Sequence, residues 1–440
     1  MVDTRAGDMD IIEARSRADE GFNDWSALPA PDRGRILFNA AREMERCRHE
    51  IVATIMAETR KTEEEAQGEW QSAVDMAYYM AGEGRRSYGD VLSSQLKDRL
   101  VMTKRYPIGV VGIITPWNFP FSLVAWKVLP ALICGNAVIL KPSSVAPKSA
   151  DLFASIMVKA GLPKDALVVF HGGSDAGELV IDASDMISFT GSSRVGMRIA
   201  AKCGRNLQKV SLELGGKNAV IVMDDADIGM AVDAIIKGAF SFAGQRCSAT
   251  SRVIVIYSAY NRFLDSLSKA MRRMPMKQVV NLKQADMIRG YIASGKRCGA
   301  KLLKGGVVTG TKVSPTVFVD VGIDDEIATD EIFGPVLCVF NAKTIDDAVR
   351  IHNSCAFGLS ASVFTNDINA AFSIIDRLEA GVCYINAPTF GAEVHVPFGG
   401  IKDSGNGHRE SGKAAIETFS ELKTITIDYS RRLQNAQWKN

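Results

Sequence analysis

Up to about Asp90 the apolar positions repeat with helical spacing. Ile36, Leu37 and Ala40, then Ile51, Val52, Ile55 and Met56, recur at i, i+3 and i+4 among charged residues, which predicts an amphipathic helical entry segment. From Val110 the pattern changes to short apolar, β-branched runs separated by helical stretches. The runs are Val110–Ile114, Ala137–Leu140, Leu167–Phe170, Met186–Phe189 and Val210–Leu214. Continuous apolar strands alternating with helices predict a parallel sheet covered on both faces.

A second α/β series follows, with strands expected near Ala219–Met223, Val253–Tyr257, Val336–Phe340, Ser360–Phe364 and Val382–Ile385. Between the first two, Ile228, Ala231, Val232, Ile235, Ile236, Ala239 and Phe240 share one helical face that stops at Gly244. That helix delivers the chain to Gly244-Gln245-Arg246-Cys247 at a strand entrance. Val101–Tyr106 and Thr424–Asp428 lie at the margins of the two halves and are expected to pair as an outlying sheet.

Composition narrows the function. A chain of 440 residues has room for two or three domains, and a net charge of +2 excludes polyanion binding driven by bulk charge, so no nucleic-acid partner is expected. The eight cysteines contain no Cys-x-x-Cys pair and five histidines are scattered, which argues against a disulfide framework and a metal site. The N-terminus has acids where a signal peptide needs apolar residues, and Val128–Leu140 is broken by Pro130, Gly135 and Asn136. A soluble, reduced, cytoplasmic protein without a membrane partner is expected.

Three residues stand out chemically. Cys247 follows a glycine-terminated helix and has Gln245, Arg246 and Ser248 as neighbours, a polar setting beside a cation that is expected to favour the thiolate. Glu213 interrupts the run Val210–Leu214, which Gly215-Gly216 follows; a carboxylate at a strand end beside glycines can have a raised pKa and act as general base. It is also what an outward strand residue with an ion-pair partner looks like. Asn118 follows the first strand, at the carboxyl end where open α/β sheets bind ligands, and offers either an oxyanion donor or a helix cap. No Gly-x-Gly-x-x-Gly occurs. Gly191, Ser192 and Gly196 after one strand, and Lys141-Pro142-Ser143-Ser144 after another, are weaker phosphate signals that ordinary turns also produce.

Taken in order, these segments resemble the aldehyde dehydrogenase superfamily over nearly the whole chain. The resemblance is carried by Thr115-Pro116-Trp117-Asn118-Phe119-Pro120, Lys141-Pro142-Ser143, Phe189-Thr190-Gly191-Ser192 and Leu212-Glu213-Leu214-Gly215-Gly216-Lys217. It continues in Gly244-Gln245-Arg246-Cys247, Glu331-Ile332-Phe333-Gly334-Pro335-Val336 and Pro397-Phe398-Gly399-Gly400-Ile401-Lys402. It implies Cys247 as nucleophile, Glu213 as base and Asn118 as oxyanion donor. It further implies NAD or NADP held by Thr115, Trp117, Lys141, Ser144, Gly191, Ser192, Gly196, Leu214, Glu331 and Phe333, with the aldehyde against Phe119, Trp126 and Phe398. Cys247 would attack the aldehyde, hydride would leave to the nicotinamide, and Glu213 would activate water to release a carboxylate.

The fold so implied is α/β, with a Rossmann-like parallel-sheet cofactor domain (1–86, 108–215 and 404–418), an α/β catalytic domain (216–403) and a β-ribbon (87–107 and 419–440) that builds homodimers or homotetramers. The chain departs from the family pattern in lacking roughly fifty residues of N-terminal extension, which reads as truncation. Met274–Asp286 is also short and lacks a Gly-Pro-Leu-Ile. Many NAD-preferring members carry glutamate at the position of Ser144, so NADP use is expected here. The stretches Asn386–Pro397, Ser404–Glu410 and Cys247–Arg252 resemble the branch that oxidises 2,5-dioxopentanoate. Two alternatives stay open: transfer of the acyl group to coenzyme A, and an inactive structural or binding member of the fold.

Overall fold

The computed structural model describes residues 5–6, 9–86 and 89–434. The expected ribbon ends at residues 87–88 and 435–440, and the expected start of the cofactor domain at residue 1, lie outside the described residues. The entry segment is four helices, Ile11–Ser26, Ala30–Arg46, Arg48–Thr59 and Glu63–Glu83. The last begins with a reciprocal cap: the Thr62 hydroxyl accepts from Glu65 N, and the Glu65 carboxylate accepts from Thr62 N.

The first sheet has five parallel strands in the order Leu167–Val169, Ala137–Lys141, Val110–Ile114, Met186–Thr190 and Lys209–Glu213. The chain therefore runs outward from Val110–Ile114 in one direction, then returns and builds in the other. This reversal opens a crevice between the loops that follow Ile114 and Thr190. Alternate residues divide between two cores: Val111, Ile113, Val138 and Leu140 pack with helices of the entry segment, whereas Val110, Ile114, Ala137 and Ile139 face the opposite layer. Both faces are covered, which is why these strands are unbroken apolar runs.

The second sheet has seven strands: Lys301–Lys304, Thr316–Val319, Val336–Ala342, Thr250–Ile256, Asn218–Val222, Ser360–Phe364 and Val382–Ile385. All neighbours are parallel except the first pair. Two of these strands have no counterpart in the sequence reading. Lys301–Lys304 is charged at both ends, as suits an edge strand, whereas Thr316-Val317-Phe318-Val319 carried a β-branched signal that was there to be read. The short stretch 274–286 places Lys277–Gln278 against Lys312–Val313, and Asn281 caps the helix Leu282–Arg297 through Gln284 N.

Arg99–Pro107 and Ser420–Asp428 pair antiparallel along their whole length, with Val91–Leu92 on the far side. Leu422 and Ile427 on this ribbon are exposed. Among the described residues, no helix is long and apolar enough to cross a membrane.

Candidate active site

The crevice at the sheet reversal holds a cavity of about 990 Å³. One wall is the loop after Val110–Ile114. Asn118 there is buried, its Nδ2 donates to the Gln245 carbonyl (3.1 Å), and its Oδ1 has no partner among the described residues. The following helix, Ser122–Ile133, has no side-chain cap, so Asn118 is not a capping residue. The loop is fixed from beneath by two residues that sequence reasoning missed. Lys61 donates to the Asn118 carbonyl (2.7 Å) and pairs with Glu69, whose Oε1 accepts from Phe121 N (2.9 Å) and Ser122 N (3.2 Å). The Lys61 ammonium also sits 3.6 Å from the Phe119 ring centre and 4.4 Å from that of Phe242. Burial brings it down to about 8 despite Glu69.

The facing wall carries Cys247. Helix Ile228–Phe240 ends in a tight turn, Ser241–Gly244, in which Phe242 (φ 48°) and Ala243 (φ 55°) adopt left-handed backbone. Each such residue costs about 1–3 kcal/mol and persists only where its surroundings hold it. Glu65 supplies part of that hold by accepting from Phe242 N (2.5 Å), and the Phe242 ring meets Phe119 and Trp117 edge-on. Gly244 is required by its φ of 69° and by the Gly334 carbonyl, 2.4 Å from where a Cβ would stand. Asn218 then ties down the Cys247 carbonyl (2.7 Å).

Cys247 lines the cavity, but its thiol departs from expectation. Burial pushes it up to about 12, with Glu331, Glu213 and Glu410 adding to the rise. Arg246 is adjacent in sequence, yet its guanidinium is turned onto the Phe390 ring, 4.9 Å from its centre. That rise favours the protonated thiol, so forming the nucleophile calls for a nearby base to accept its proton.

Glu213 is that candidate base. It is the last residue of its strand, is buried, and neither carboxylate oxygen has a hydrogen-bond partner among the described residues. A Cβ on Gly399 would come within 2.6 Å of its Oε1, so a glycine there makes room for the carboxylate. Burial pushes Glu213 well above the usual carboxylate range, the Glu410 charge pushes the same way, and Lys127 and Arg409 oppose it. Lys127 and Glu410 form a buried ion pair, and Lys127 also donates to Ser188 Oγ (3.0 Å). Neither was singled out from the sequence. The signal for Lys127 was a lone cation on the otherwise apolar helix Ser122–Ile133.

Trp117, Gly191, Ser192, Leu214, Glu331 and Phe333, predicted for the cofactor, and Phe119, Trp126 and Phe398, predicted for the aldehyde, all line the same cavity. Glu331 accepts from Gly216 N (3.0 Å) and is pushed up to about 7 by burial. Trp117 and Phe333 meet edge-on at 5.6 Å, and Trp126 and Phe398 at 6.3 Å. Thr115, Lys141, Ser144 and Gly196 are not on its wall. Lys141 donates to the Pro142 carbonyl (3.1 Å). Gly196 lets helix Ser193–Arg205 approach Leu214, whose Cδ2 lies 2.4 Å from a Cβ placed there. Ser144 is exposed and caps nothing; the Glu58 carboxylate instead takes Lys148 N and Ser149 N at the start of the next helix.

These residues fit a dinucleotide. Among the described residues, the buried Thr115 and Thr190 hydroxyls have no partners and Ser192, at the N-terminus of helix Ser193–Arg205, makes no capping bond, which leaves amides turned outward.

The sequence profile of the aldehyde dehydrogenase family matches residues 3–425. An alpha-ketoglutaric semialdehyde dehydrogenase of Bacillus subtilis is 39% identical, covering 95% of this chain and 90% of that protein. A 2,5-dioxopentanoate dehydrogenase of Saccharolobus solfataricus is 36% identical, over 94% of this chain and 91% of its own. The crystal structure of an NAD-dependent aldehyde dehydrogenase from Sinorhizobium meliloti superposes with a TM-score of 0.93 at 33% identity, covering 96% of this chain and 88% of the other.

Proposed function

The chain belongs to the aldehyde dehydrogenase family, and on that premise we propose that it oxidises an ω-carboxy semialdehyde of the 2,5-dioxopentanoate type to the dicarboxylate. One observation carries the chemistry: Cys247 and the Asn118 amide line a single cavity on the sheet reversal, and the unpartnered Glu213 carboxylate lies buried behind that wall, close enough for its charge to act on the thiol. Cys247 Sγ attacks the aldehyde carbon, and its proton passes to Glu213 or water. A free N–H of Asn118 and the Cys247 backbone N–H hold the oxyanion. NAD(P)+ supplies the hydride acceptor when bound, with Glu331 and Phe333 placed to hold its nicotinamide end. Glu213 then takes a proton from water as it cleaves the thioester. Neither the acyl-CoA alternative nor the inactive one is favoured by relatives that are named as dehydrogenases.

The substrate reading is supported by the names of those two relatives. It predicts a kcat/KM for 2,5-dioxopentanoate at least about tenfold above that for pentanal, since recognition of a polar group discriminates more than a methylene does. Equal or reversed values would sink it.

Ser144 bears on the choice of cofactor. It is exposed and uncommitted, and a neutral side chain there does not repel a 2′-phosphate. The enzyme is expected to accept NADP at least as well as NAD, and Ser144→Glu to shift the kcat/KM ratio toward NAD by about tenfold or more, because a juxtaposed like charge costs several kcal/mol. A wild type strongly selective for NAD, or an unchanged ratio in the variant, removes Ser144 from cofactor choice.

The exposed apolar residues of the ribbon support its proposed role in joining subunits into dimers or tetramers. The break at 215/216 between cofactor and catalytic domains belongs to the same proposal. Eight unpaired cysteines are compatible with a reducing, cytoplasmic setting.

A further inference from the structure

Arg246 is a cation on the cavity wall that the chemistry above leaves unaccounted for. Arg246 lines the cavity beside Phe119 and Phe390, with its guanidinium 5.9 Å and 4.9 Å from their ring centres. Its Nε is buried without a partner, and among the described residues the guanidinium makes neither a hydrogen bond nor an ion pair. The nearest influential carboxylate, Glu65, is already committed to Thr62 N and Phe242 N. A half-buried arginine whose Nε is left unpaired forgoes solvation there, and its planar fork matches a carboxylate.

We propose that Arg246 reads the remote carboxylate of the substrate, with the two aromatic rings holding its plane. This inference rests on the ω-carboxy reading above. It accounts for where that carboxylate goes: a five-carbon substrate bonded to Cys247 spans roughly 5–6 Å, from carbon–carbon bonds of about 1.5 Å, and the Arg246 guanidinium lines the same cavity, close enough to Cys247 to feel its charge. The guanidinium serves specificity here, and the thiol is left to Glu213.

The test compares wild type, Arg246→Met and Arg246→Lys on 2,5-dioxopentanoate and on pentanal, together with the pH dependence of Cys247 alkylation by iodoacetamide. Arg246→Met is expected to lose about 100-fold or more in kcat/KM for the carboxylate substrate, mainly through KM. Pentanal should change by less than about threefold and the alkylation profile should not move. Arg246→Lys keeps the charge without the fork and should fall between; it also serves if the methionine variant fails to fold. A proportional loss on both aldehydes, or a shifted alkylation profile, overturns the inference and assigns Arg246 to the nucleophile. A wild-type preference that both variants retain overturns it while leaving the semialdehyde reading standing. A wild type without that preference overturns the reading and this inference with it.

Discussion

Cys247→Ala is expected to lower kcat by more than about 10⁴-fold, the scale seen when a covalent nucleophile is removed, while cofactor binding and thermal unfolding stay close to wild type. The reason is local. The Cys247 side chain faces the cavity, and its backbone carbonyl, not its sulfur, makes the bond to Asn218 that holds the loop. Alanine keeps that carbonyl and removes a thiol whose burial among three carboxylates is unfavourable to its ionised form. The measurement is pre-steady-state NAD(P)H formation, with cofactor affinity from fluorescence titration. A first turnover at near wild-type rate would refute the assignment; lost cofactor binding would show that the loop, and not the sulfur, had failed.

The two sheets were legible because parallel strands buried on both faces leave an uninterrupted apolar trace, as in Val110–Ile114 and Ser360–Phe364, where every residue is buried. Lys301–Lys304 was not, because its exposed ends carry lysines and its apolar content is two leucines. The site divided along the same physical line. Cys247, Glu213 and Asn118 stood out because their residue types break a local pattern. Lys127 and Glu410 lie 283 positions apart and meet only in the folded chain, and Lys61 and Glu69 sit in a run of charges that reads as a solvated helix face. The thiol was misjudged for a related reason. Adjacency of Arg246 and Cys247 says nothing of where the guanidinium turns, and the carboxylates that act on the thiol come from other segments.

Glu213→Gln should fail later in the reaction than Cys247→Ala. The amide is nearly isosteric and fits the space that Gly399 leaves, but it cannot take a proton from water. Some first-turnover NAD(P)H release should survive, whereas steady-state turnover should fall by about 10²–10⁴-fold, the usual worth of a general base. Mass spectrometry should then find Cys247 carrying the acyl group. The pH dependence follows from the environment of Glu213. Its carboxyl is pushed well above the ordinary carboxylate range by burial and by Glu410, so the protonated form, which cannot act as base, persists to higher pH than for an exposed glutamate. Wild-type deacylation should therefore rise with pH through the elevated pKa and level off above it, and that limb should vanish in the glutamine variant. The Lys127–Glu410 pair sets how far the limb lies above the ordinary carboxylate range, since Glu410 raises the Glu213 pKa and Lys127 lowers it. Steady turnover without an acyl adduct in Glu213→Gln, or an unchanged pH limb, would remove Glu213 as the base and leave water activation to another group in the cavity.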